Sequence, residues 1–94
     1  MAEQIIDYLE NARQVALSRI QSATQNRDSE LDLSMLPLEN LPKEITYLKD
    51  SLQTLQVYGC ELKSFPLEIC ELVKLERLNI GFNNITYIPP ELSG

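Results

Sequence analysis

Leu52-Gln53-Thr54-Leu55-Gln56-Val57-Tyr58-Gly59-Cys60-Glu61-Leu62, followed by Phe65-Pro66-Leu67-Glu68-Ile69-Cys70-Glu71-Leu72, is the stretch on which the fold turns. Its first half alternates through Leu55-x-Val57, the period of a strand that buries one face. Its second half places Phe65, Ile69 and Leu72 at spacings of four and three around a proline, the pattern of a short helical piece. The same two-part line occurs twice more. Upstream, Leu31-x-Leu33 with Leu38 runs into Leu41-Pro42-x-x-Ile45-x-x-Leu48. Downstream, Leu75-x-x-Leu78-x-Ile80-x-x-Asn83-x-Ile85 runs into Ile88-Pro89-x-x-Leu92. Leu31 to Leu55 is 24 residues and Leu55 to Leu78 is 23, with Asp50 or Ser51 as the extra residue. A unit of this length cannot bury its own apolar face, so three of them must stack into one core.

At these residues the chain resembles the leucine-rich-repeat family, from about Leu31 to Leu92. The Leu-Pro-x-x-Ile-x-x-Leu endings are similar to the bacterial variety of about 23 residues. Ala12-Arg13 through Arg19-Ile20-x-x-Ala23, followed by Leu31-Asp32-Leu33-Ser34, resembles the lead-in to the repeat region of cyanobacterial leucine-rich-repeat proteins and Roco-type GTPases. Only that lead-in is matched, because no phosphate-binding loop ending in Gly-Lys-Ser/Thr occurs. The resemblance implies an α/β fold: a short solenoid of three parallel strands, with convex turns or short helical pieces, and a capping α-helix at its N-terminal end.

The helix is legible by itself. From about Glu3 to Gln25 there is no Pro or Gly, and Ile5, Leu9, Ala12, Ala16, Ile20 and Ala23 recur at helical spacing. Glu10, Gln14, Gln21 and Gln25 occupy the other side, and the small alanines let the helix lie close to what it covers. Its polar face lacks the basic excess of a membrane-surface helix, so a cap on the neighbouring core is the expected role. Asn26-Arg27-Asp28-Ser29 ends it with polar turn formers. The expected organisation is residues 1–28 as the capping helix and 29–94 as three repeats, about 29–51, 52–74 and 75–94. Two positions depart from the repeat. Asp28 stands where a repeat-starting Leu is expected, and Leu36 stands where Asn83 sits in the third line. Asn83 can satisfy backbone groups where the chain leaves the strand, Cys60 only weakly, and Leu36 not at all. An irregular first turn packed against the helix is therefore expected.

Composition narrows the function. A formal charge of −6 with no Lys or Arg run disfavours nucleic acid and anionic membranes as partners. The acidic start, without an apolar segment, reads as no export signal. Cys60 and Cys70 are too few for a disulfide framework and have no His to join them at a metal, so they read as buried apolar side chains in a reducing cytoplasm. No cofactor or metal is implied. Catalysis would need a nucleophile, base or metal constellation, and with no His and scattered acids none is legible. A non-enzymatic protein-protein interaction module is the expectation.

Its partner would meet the outward positions of the strands: Glu30, Asp32 and Ser34; Thr54, Gln56 and Tyr58; Arg77, Asn79 and Gly81; then Met35, Gly59 and Phe82. From these, Asp32, Ser34, Met35, Gln56, Tyr58, Arg77, Asn79 and Phe82 are the candidate contact residues on the concave face. Met, Tyr and Phe are enriched in interface cores. Taken singly, each also reads as an isolated exposed apolar side chain or a shield for the loop beside Asn83. A second candidate is the last repeat, where Leu75, Leu78, Ile80, Ile85 and Ile88 would show one side to solvent beside an unpaired strand edge. Two copies could dimerise there, or the chain could be the opening piece of a larger Roco-like signalling protein.

Overall fold

The computed structural model describes residues 2–86, with side chains from residue 7 onward. Expectations resting on Ile88, Pro89 and Leu92, and on the side chain of Ile5, fall outside the described residues. One α-helix, α1 (Ala2–Asn26), precedes three short strands, β1 (Glu30–Asp32), β2 (Thr54–Gln56) and β3 (Arg77–Asn79). A 3-10 helix lies in each crossover, Lys43–Leu48 between β1 and β2 and Leu67–Glu71 between β2 and β3. The strands form an open parallel sheet in the order β1-β2-β3, with Leu31 opposite Leu55 and Leu55 opposite Leu78.

Parallel neighbours require a long crossover, and the proline-led segments supply it. Pro42 and Pro66 sit at the N-caps of the two 3-10 helices in extended conformation, with φ of −60° and −73°. A fixed φ and a missing N–H suit that position. Ile45, Leu48 and Ile69 of these pieces are buried. The core is one cluster that gathers Leu31, Leu33, Leu55 and Val57 from the strands and their extensions with Leu41, Leu62, Phe65 and Leu72 from the crossovers.

α1 closes the β1 end of this core. Ala12, Ala16, Ile20 and Ala23 are buried, while Glu10, Gln14, Gln21 and Gln25 are exposed. The helix touches both β1 and the first 3-10 helix. Arg19 ties it down further, donating from Nη1 to the backbone oxygen of Asp32 at 2.9 Å, which occupies an edge carbonyl of β1. The helix stops at a Schellman turn. Arg27 lies in the left-handed region at φ 52°, its N–H donating to Thr24 and that of Asp28 to Ala23.

Candidate partner-binding face

Beyond each strand the ladder continues for several residues, and this places the turns. Leu33 N–H donates to Gln56, Met35 to Tyr58, Val57 to Asn79 and Gly59 to Gly81, at 2.8 to 2.9 Å. Met35, Gly59 and Phe82 then all adopt left-handed backbone, at φ 67°, 64° and 53°. A left-handed bend at one register position in each repeat turns the chain off the sheet and brings the three positions into a row. Only Gly59 takes that conformation without a steric cost.

Behind the row, Asn83 holds the second and third turns together. Its Oδ1 accepts from the N–H groups of Cys60 and Leu62 at 3.0 and 2.9 Å. Its Nδ2 donates to Val57 at 2.9 Å and Ile80 at 2.8 Å. The Cys60 thiol takes up one of these duties a repeat earlier, donating to the backbone oxygen of Leu33 at 3.0 Å. Burial pushes that thiol above its usual range, which keeps it a protonated donor. Leu36 packs half-buried on the core, and the N–H groups of Leu38 and Glu39 turn instead to the carbonyl of Cys60.

The eight candidate contact residues come together on the outer side of the sheet. Asp32, Gln56, Arg77 and Asn79 are exposed, Ser34 and Tyr58 half-buried. Met35 and Phe82 stand 68% and 82% exposed. Tyr58 rests against Phe82 with ring centroids 5.1 Å apart and planes tilted by 54°, a favourable aromatic arrangement. Gly81 gives that ring its place, since a Cβ there would stand 3.3 Å from Tyr58 Cδ2. Met35 leans over Gly59, where a Cβ would meet its Sδ at 2.7 Å.

Three of the candidates also serve the backbone. Asp32 Oδ1 accepts from Ser34 N–H at 2.8 Å, and Asn79 Oδ1 from Gly81 N–H at 3.0 Å, the same Asx turn two repeats apart. Ser34 Oγ accepts from Tyr58 N–H at 3.1 Å, tying the first repeat to the second. The Ser34 backbone N–H, then its side chain, hold the Asp32 carboxyl below its ordinary range; slight burial opposes them and the Arg19 charge adds to them. Sequence reasoning missed these duties, although Asp32-x-Ser34 and Asn79-x-Gly81 have the spacing of an Asx turn.

The second candidate set is less covered than its counterparts. Leu75, Leu78, Ile80 and Ile85 are half-buried, whereas Leu52, Leu55, Val57 and Leu62 in the preceding repeat are wholly buried. β3 is the outer strand of the sheet among the described residues.

A family model for the Leucine Rich Repeat matches residues 74–94. That match supports a leucine-rich-repeat family for this chain. It falls on the line that contains Asn83, where the turn amide makes its full set of hydrogen bonds. A comparison with curated proteins gives no match. A leucine-rich repeat suggests a protein-interaction module and a protein partner. Among the described residues no helix is long and apolar enough to cross a membrane, and no group of three or more His, Cys, Asp or Glu could hold a metal ion.

Proposed function

We propose that this chain is a non-enzymatic, cytoplasmic interaction module, a short solenoid that holds a protein partner on the concave side of its sheet. Met35, Tyr58 and Phe82 form the apolar centre of the contact, with Asp32, Ser34, Gln56, Arg77 and Asn79 as its polar surround. The observation that carries this reading is the row itself. Two large apolar side chains, Met35 and Phe82, stand mostly exposed on turns fixed by backbone hydrogen bonds, and the ring of Tyr58 rests against that of Phe82. The backbone of these turns is held before a partner arrives, so little main-chain entropy is lost on binding.

The test is a selection of binders from a displayed protein library, followed by affinity measurement against Met35→Ala and Phe82→Ala. Loss of about 2 kcal/mol or more in at least one variant is expected for a residue at the centre of an interface. Binders that contact other faces and retain full affinity for both variants would sink the proposal.

The half-buried state of Leu75, Leu78, Ile80 and Ile85 favours a second reading, in which the β3 edge is an interface. A two-fold copy of the chain would extend the sheet and cover these side chains. Further repeats of a larger Roco-like protein would cover them equally. The solution mass separates the two.

A further inference from the structure

The sheet register sets the outer side chains in rows that cross all three strands. Glu30, Thr54 and Arg77 share the first row, and Asp32, Gln56 and Asn79 the second. The ladder beyond the strands continues these rows through Ser34, Tyr58 and Gly81 to Met35, Gly59 and Phe82. The first row is charged at both ends, acid on β1 and base on β3, with neutral Thr54 between them. Glu30 and Arg77 are exposed, and the salt bridge found among the described residues, Lys63 to Glu39, involves neither. Asp32 differs from Glu30, because Arg19 of its own chain already donates to its backbone oxygen at 2.9 Å. The last row also has unlike ends, a thioether on β1 and an aromatic ring on β3. Its middle is left to Gly59, since Tyr58 leans aside over Gly81 to touch Phe82.

A face whose two sides are opposite in kind about a neutral middle strand is complementary to itself. Resting on the reading of the outer face as the binding face, we propose that the partner is a second copy of this chain, joined face to face by a two-fold axis parallel to β2. That axis lays β1 of one copy over β3 of the other and keeps each row in line with the same row of its counterpart. Glu30 then faces the partner's Arg77, and Arg77 faces the partner's Glu30. Met35 faces the partner's Phe82, a favourable sulfur-to-ring contact. Thr54, Gln56 and Gly59 lie along the axis, so no charge meets its own copy there. Sheets packed face to face stand about 10 Å apart, a gap that glutamate and arginine side chains close from both sides. The small rotation per repeat has acted only twice across three strands, leaving little curvature to hold two such faces apart. Four short rows make a contact at the low end of interface sizes, so the dimer is weak and forms as concentration rises.

The experiment is sedimentation equilibrium of the full chain at low salt, from about 0.01 to 1 mM. The mass is expected to rise from 10.7 kDa towards twice that value. Glu30→Arg and Arg77→Glu each set like charges across both ends of the contact, and each should raise the dissociation constant at least about tenfold. Both positions are exposed, so the fold is retained, which circular dichroism verifies. An equimolar mixture of the two variants brings opposite charges together at both ends again and should dimerise as the unchanged chain does. A dimer through the β3 edge leaves Glu30 remote from the contact and gains nothing from mixing. A chain monomeric throughout, a dimer indifferent to either variant, or a mixture that does not recover would each overturn the proposal. The affinity of selected binders for Met35→Ala and Phe82→Ala is unaffected by any of these outcomes, so the outer face as a binding surface is judged separately.

Discussion

Asn83 is one side chain satisfying several backbone groups, and its removal should cost accordingly. In Asn83→Ala the N–H groups of Cys60 and Leu62 lose their acceptor, and the carbonyls of Val57 and Ile80 lose a donor. About 2–4 kcal/mol of stability should disappear, read as a lower midpoint in urea. A loss under about 0.5 kcal/mol would mean that water replaces the amide without penalty. Asp32 makes a prediction in pH. Its folded-state pKa is depressed below 3.8, so the stabilisation it contributes is complete above that value and is lost as pH falls through the lower, folded pKa. Asp32→Asn should keep the turn, as Asn79 does in the third repeat, and should flatten the acid limb of stability between about pH 4 and 2. An unchanged acid limb in that variant would assign it to other carboxylates.

At the scale of the element, α1 depends on how it packs and how it ends. Alanines at positions 12, 16 and 23 bring the helix axis close to the first repeat, and Ile20 is the one large side chain among its buried residues from position 7 onward, where side chains are described. The Schellman turn that ends it uses Arg27 where glycine is the common choice. A side chain in left-handed backbone is strained, so Arg27→Gly should raise stability by about 0.5–1 kcal/mol, after the glycine's own unfolded-state entropy is counted. Thermal unfolding followed by circular dichroism checks this, and a destabilised variant would show that Arg27 holds a contact worth more than the strain. The helix and the 3-10 pieces were legible because each has its own period and its own proline or polar stop. The turn geometry was not, since Met35, Gly59 and Phe82 share a conformation but no chemistry.

For the whole molecule the question is what covers the β3 end. Light scattering across a dilution series reads the mass directly against 10.7 kDa for one chain. A dimer that persists on dilution and dissociates in Leu78→Asp, with circular dichroism unchanged, would establish the edge as an interface between copies. A folded monomer would remove that reading and leave continued repeats as the cover. Soluble aggregates would have the same meaning in stronger form, because half-buried leucines and an edge strand invite irregular association. None of these results establishes the outer face as an interface, since its apolar row stands on a different side of the strands from these leucines.

The sequence by itself determined the stacking: a repeat of 23 to 24 residues, strands in register, proline-led crossovers and a helix with a small-residue stripe all follow from local periodicity. It also named the outward residues, because alternation along a strand assigns each side chain to a face without any knowledge of neighbours. Only the tertiary structure decided what those residues do there. Asp32, Ser34 and Asn79 face outward and yet hold backbone N–H groups, while Tyr58, Gly81 and Phe82 became one surface through contacts across repeats. Periodicity is a property of neighbours along the chain, whereas a shared turn or a contact between rings depends on which segments the fold brings together.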